Sequence, residues 1–282
     1  MNVIRGIRDV APRIVLYGMP GVGKSTFAAS MPAPLVIDFD GGCEQIGCPR
    51  VTAPDTWPEV LGLLAEAVDA VEYQTIVVDA IDPMEWIATR HVCERGKKRT
   101  LAEFGWAEGY DALAGEWRPA LGILERARVR GATVVLLAHS VVRTAQDPLI
   151  GAIDQYVPQL QKKVWALTSR WADVVGFATF DAAKVGDERR AIVTGDRILL
   201  TTQGSGYEAK NHYSLPMRLP LSWPALRDAM RVESAAAVRE RILALARGTE
   251  HEARALAFIA DAGADVGQLR SIEVALKEKV HT

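Results

Sequence analysis

Nine consecutive residues, Gly18-Met19-Pro20-Gly21-Val22-Gly23-Lys24-Ser25-Thr26, pose the first chemical question. Gly18, Gly23, Lys24 and Ser25 satisfy G-x-x-x-x-G-K-[ST], with Gly21 also inside the loop. A loop of this kind aims successive backbone N–H groups at a phosphate chain. Side chains would obstruct that approach, so glycine is required. Lys24 is expected to reach the β- and γ-phosphates, Ser25 to bind Mg2+, and Thr26 to touch the α-phosphate. ATP and Mg2+ are the cofactors this implies.

Acids at strand ends supply the rest of the chemistry. Asp79 closes "TIVVD", where it can hold a water of the Mg2+ shell. Asp82, just before Pro83, suits the role of helix cap, which leaves Asp79 as the metal-side acid. Asp40, in "VIDFDGG", can polarise the water that attacks the γ-phosphate. Asp38 points the same way if its strand continues, so either acid could serve, and a solvated turn acid is the plain alternative. His139 ends "VVLLAHS", where it can sense the γ-phosphate or be a buried structural histidine.

The elements that must carry these groups alternate. Apolar runs at 13–17, 34–38, 75–80, 132–140 and 173–180 read as strands, and helical periods lie between them. Trp57, Val60, Leu61, Leu64 and Val68 mark one helix face behind a Thr56/Glu59 capping box. Leu113, Trp117, Leu121 and Leu124 outline a long helix. This alternation predicts an α/β fold, a mainly parallel sheet flanked by helices. "RRAIVTGDRILLTT" predicts a C-terminal β-hairpin turning at Thr194-Gly195-Asp196. Ser222 should cap a helix with Pro224 in its first turn. The core is expected over residues 1–232, with a small helical appendage over 233–282.

Composition limits the function. The 282 residues are 49% hydrophobic and 24% charged, enough to bury a real core. A net charge of −2 excludes coating nucleic acid by bulk attraction, so any such contact must be local. No apolar run is long enough to span a membrane. The N-terminal "MNVIRGIRDVAPR" has no signal core, which predicts a cytosolic chain. Cys43, Cys48 and Cys93 lack metal-ligand spacing and read as free thiols.

"GMPGVGKST", "VIDFDGG", "TIVVDAIDP", "VVLLAHS" and "YEAKNHYSLP", in that order, resemble the RecA-like P-loop NTPases of phages and prophages, often described only as AAA-family proteins. Some of these are core-only RecA relatives acting in single-strand annealing and recombination. The resemblance covers residue 13 to about 230. It implies an ATPase stimulated by DNA, a water-activating role for Asp40, and a role for His139 in coupling ATP to a DNA-binding loop. It also implies a homo-oligomer with ATP between subunits, and a phage-encoded chain working in the bacterial cytoplasm. "AKNHYSLP" is similar to the Lys-x-Arg strand that hexameric helicases insert into a neighbouring site. Lys210 matches the lysine, and His212 stands where arginine is expected.

Under the same resemblance, single-stranded DNA would meet two loops. The first, residues 94–110, carries Arg95, Lys97, Lys98 and Arg99, then Phe104 and Trp106. The second, residues 140–163, carries Arg143, Tyr156, Lys162 and Lys163. Cations with interleaved aromatics suit backbone tracking and base stacking, whereas "RGKKR" alone is equally a solvated turn. A single-strand-binding protein is a further conceivable partner, with the C-terminal helices as one place to meet it. A small-molecule kinase is the rival reading, since "GMPGVGKST" also suits a nucleotide kinase loop. A scaffold that binds nucleotide with negligible turnover is a third.

Overall fold

The computed structural model describes residues 10–147, 151–184, 191–230, 235–249, 251–262 and 266–280. In chain order the elements are β1 (Arg13–Gly18), α1 (Lys24–Ala29), β2 (Pro34–Asp38), β3 (Arg50–Thr52), α2 (Trp57–Asp69), β4 (Thr75–Asp79) and α3 (Ile81–Arg95). A short 3-10 turn, Leu101–Phe104, leads to α4 (Glu108–Val129), β5 (Thr133–Asp147), β6 (Gly151–Pro158) and α5 (Lys162–Trp171). The chain ends with β7 (Val174–Lys184), β8 (Ala191–Leu200), β9 (Lys210–Asn211), β10 (Arg218–Pro220), α6 (Trp223–Met230), α7 (Ala235–Ala246), α8 (Glu252–Ala262) and α9 (Val266–Val280). The expected α/β class is borne out: the central strands are parallel, with helices between them.

Two compact units divide the chain. The first holds residues up to Leu16, Lys24–Val141 and Pro158–Ala172. Its strands run in the order β3-β2-β4-β5-β1. Registration is what matters for chemistry: Asp38 lies opposite Asp79, and Asp79 opposite Leu137, two residues before His139. Asp38, Asp79 and His139, from three strands, therefore gather at one edge. β4 is buried at all five positions, as its unbroken apolar run predicts.

The helices of this unit are held by specific polar bonds as well as by apolar faces. Trp57 of α2 stacks on Trp117 of α4, centroids 6.1 Å apart, and Trp117 Nε1 donates to Thr168 Oγ1 at 2.9 Å. α2 ends without a glycine. Arg130 instead donates to the carbonyls of Val68 (2.5 Å), Ala70 (3.0 Å) and Tyr73 (3.1 Å), satisfying groups that the helix end leaves unpaired. Thr56 is the N-cap of α2, but its hydroxyl donates to Glu59 at 2.5 Å rather than capping the backbone.

The second unit holds Tyr17–Gly23, Val142–Val157 and Asp173–Thr282. β7 pairs antiparallel with β8 and β9, and β8 with β10. Two expectations are corrected here. Residues 140–163 are not a long loop, because β5 runs on to Asp147 and β6 follows from Gly151. Thr144 Oγ1 donates to Asp154 Oδ1 at 2.7 Å between those strands. Residues 148–150 lie outside the described residues. Likewise, Thr194-Gly195-Asp196 is no hairpin turn: Gly195 sits within β8 at φ +88°, and β8 pairs with β7 on both sides of it, through Ala191–Val193 and through Arg197–Leu200. The pairing shifts register between Phe180 and Ala182.

An aromatic cluster fills this unit. Phe177 contacts Tyr17, Tyr156 and Tyr207 at centroid distances of 5.1, 5.1 and 5.5 Å. Farther along the chain, α7, α8 and α9 close their own core on Val238, Ile242, Ala246, Ala255, Leu269 and Leu276. No described helix is long and apolar enough to cross a membrane.

Candidate active site

The phosphate loop leaves β1 at Gly18, where the Ala178 carbonyl packs so closely that a Cβ would collide with it. Gly21 and Gly23 take φ values of +77° and +103°, a region that side chains rarely tolerate. A phosphate cradle requires successive N–H groups on one side of the loop, and glycines free to take positive φ suit such a path. α1 then begins at Lys24.

The two acids at the ends of β2 and β4 have different jobs. Asp79 Oδ2 accepts from Ser25 Oγ at 2.5 Å and from Cys43 Sγ at 3.2 Å. A hydroxyl and a carboxylate in contact form an all-oxygen pair suited to Mg2+, which takes few protein ligands and fills its shell with water and phosphate. No group of three or more His, Cys, Asp or Glu side chains that could hold a metal occurs among the described residues. Asp38 faces the backbone. Its carboxylate accepts from the amides of Asp40 (3.2 Å), Gly41 (2.8 Å) and Cys43 (3.2 Å), fixing the turn after β2. Phe39 N–H donates to Asp79 O at 2.6 Å and ties that turn to the end of β4.

Asp40 is the acid left facing outward from this turn. Its Oδ2 lies 3.8 Å from His139 Nε2. The other side of the imidazole is held by Asp82, whose carboxylate accepts from the His139 amide at 3.0 Å and lies 2.9 Å from Nδ1. An ionised carboxylate only accepts, so Nδ1 carries the proton and Nε2 is the atom turned toward Asp40. This corrects the capping role expected of Asp82, which is the second residue of α3 behind an Ala80 N-cap. The spacing "DAIDP" suggested a cap. Only β4–β5 registration shows that the same carboxylate reaches a histidine 57 residues away.

Charges at this edge act on one another. Burial pushes the Lys24 ammonium down, while Asp79, Asp82 and Asp40 push it back up. Burial raises Asp40 above the ordinary carboxylate range, and the nearby His139 opposes that. His139 is raised, chiefly by its hydrogen bond to Asp82. The Cys43 thiol is pushed up to about 12 by burial and by Asp79, so it donates a proton here and is no nucleophile. No sequence signal pointed to Cys43.

The expected DNA-facing residues fall into two groups. Arg95 pairs with Glu116 at 2.6 Å, Arg99 with Glu103 at 3.2 Å, and Lys163 with Asp111 at 2.5 Å. Lys97, Lys98 and Lys162 are exposed, and Arg143 is half-buried on β5. The two aromatics of the first loop also separate. Phe104 packs against Gly96 and Gly109, whereas Trp106 is 100% exposed. Gly105, Trp106 and Ala107 all have positive φ, at +75°, +38° and +66°. Two non-glycine residues in that region cost on the order of 1–3 kcal/mol each. Lys210 lies on β9 opposite Val175, and exposed His212 stands 3.6 Å from Asp173.

Residues 11–213, more than half of the chain, match the family model described as AAA domain. The chain is also similar to the SPbeta prophage-derived uncharacterized protein YorG of Bacillus subtilis (strain 168), 25% identical over 200 residues. That alignment covers 67% of this chain and 56% of YorG, so the chain spans little more than half of its relative's length.

Proposed function

The chain belongs to the AAA domain family; from that premise we propose a RecA-like P-loop ATPase that hydrolyses Mg2+·ATP to grip and release single-stranded DNA in phage-type recombination or annealing. The observation that carries the hydrolytic part is the edge where Ser25 meets Asp79 and Asp40 faces His139. Residues 18–26 hold the triphosphate. Asp40 orients a water for attack on the γ-phosphorus and takes its proton as the bond to the leaving diphosphate breaks. Asp82 holds the His139 ring so that Nε2 stays toward Asp40, and a proton on that nitrogen brings positive charge to the site. Mg2+, held by Ser25 and on the Asp79 side, would neutralise the phosphate oxygens as charge moves to the leaving group.

The DNA part draws support from a fully exposed tryptophan on a strained turn, with two exposed lysines on the same loop. A ring held in water against its own backbone preference suits stacking on a base. The prophage origin of the relative is in keeping with such a role. The reading also includes self-association, with Lys210 as a cation offered to a neighbouring protomer's phosphates.

The decisive measurement is phosphate release from ATP, with and without oligo-dT, by the unaltered chain and by Lys24→Ala. Turnover that rises with oligo-dT and disappears in Lys24→Ala is expected. Release that appears only with a nucleoside or sugar acceptor would replace this reading with phosphoryl transfer. Binding without turnover, indifferent to DNA, would leave a scaffold.

A further inference from the structure

Arg197, far from the loop in sequence, lies against it in space. It stands on β8 opposite Phe180 of β7, and its carbonyl accepts from Leu221 N at 2.9 Å, so its backbone is fixed on both sides. Its side chain turns to Gly23. A Cβ on that glycine would lie 2.9 Å from Arg197 Nη1, 3.4 Å from Cδ and 3.5 Å from Cζ. The same pair of strands meets the loop's other end, where the Ala178 carbonyl of β7 packs on Gly18. β7 and β8 thus back both ends of the loop.

The chemistry of this placement points to an anion. Arg197 is exposed, and its guanidinium makes no ion pair among the described residues. A guanidinium presents a planar fork of donors that matches phosphate oxygens. Here the fork rests on a loop whose N–H groups already collect phosphate, at a glycine bare of any side chain that would hold it off. Among the described residues no carboxylate complements it there, and an anion brought by a ligand would.

We infer that Arg197 is a phosphate ligand supplied in cis, gripping the polyphosphate of the nucleotide bound on residues 18–26. The inference rests on the nucleotide-binding reading of that loop. It gives the site a guanidinium from its own chain, independent of the segment where His212 replaces an expected arginine.

The test is equilibrium binding of fluorescent ADP, and of a non-hydrolysable ATP analogue, to the full chain. The proteins are the unaltered one, Arg197→Ala, Arg197→Lys and Lys24→Ala, each checked by its melting temperature without nucleotide. Arg197→Ala should weaken both nucleotides about tenfold or more, as loss of a charge-assisted bond implies. Arg197→Lys should recover part of the loss, with melting unchanged because the side chain is exposed. Affinity within about twofold of the unaltered chain would overturn the inference. So would tighter binding, which would mean that the guanidinium screens the empty loop. Failure of the underlying reading looks different: the unaltered chain would not bind nucleotide, or Lys24→Ala would bind it equally well, and the inference would fall with its premise.

Discussion

At Asp40 two opposing influences meet on one carboxylate. Burial raises its affinity for a proton, and His139 lowers it. A base must be ionised to work, so the acid limb of the ATPase profile should lie above the ordinary carboxylate range. His139→Gln removes the opposing charge. The limb should then move to higher pH, as read from kcat against pH, and a limb that stays in place would remove Asp40 as the base. Asp38 shows how far sequence could discriminate at this scale. Two acids two residues apart, "DFD", are alike on paper. In the fold one of them accepts three backbone amides while the other faces a histidine. Side-chain type marked the candidates, but the turn geometry chose between them.

Among the elements, the apolar strands were legible and the polar ones were not. β1, β2 and β4 are short apolar runs between turn residues, and nothing competes with that pattern. The second half of β5 alternates instead, with Val142 and Thr144 exposed and Arg143 and Ala145 half-buried, and β6 is exposed at half of its positions. A ribbon of that kind buries little, so its sequence carries no unbroken apolar run and resembles a loop. Gly195 misled for a related reason: a glycine at positive φ marks a turn or an irregular strand alike, and only strand pairing separates them. The C-terminal helices make a prediction of their own. Glu273 of α9 is buried, and burial alone would raise it, but Arg241 at 3.0 and 3.1 Å and Lys277 at 2.8 Å hold it below the usual range. Its contribution is therefore present above the ordinary glutamate pKa and is lost as pH falls through the depressed one. Glu273→Gln should cost about 1–2 kcal/mol at neutral pH, the low end because Arg241 is partly exposed. Thermal melts at neutral and acid pH would check this, since the gap between variant and parent should close in acid.

For the molecule as a whole, a net charge of −2 means that any grip on DNA must come from a few placed groups. Lys97→Ala with Lys98→Ala should flatten the plot of log affinity for oligo-dT against log salt by roughly 1.4, about 0.7 for each lost phosphate contact. Trp106→Ala should cost about 1–3 kcal/mol of that affinity and leave the salt slope alone. Fluorescence anisotropy across a salt series measures both, and a tryptophan variant with unchanged affinity would detach this loop from DNA. The amino-acid sequence by itself determined the α/β class, the phosphate loop and the acids that accompany it. Each of these depends on neighbours in the chain: glycines that free the backbone, apolar runs that bury a strand, an acid where the run stops. Tertiary structure alone decided that Asp82 holds His139, that Cys43 donates to Asp79, that Trp106 rather than Phe104 stands in water, and that Arg197 rests on Gly23. These contacts join segments separated by loops, helices and strand order, and they form only when registration brings distant side chains to one edge.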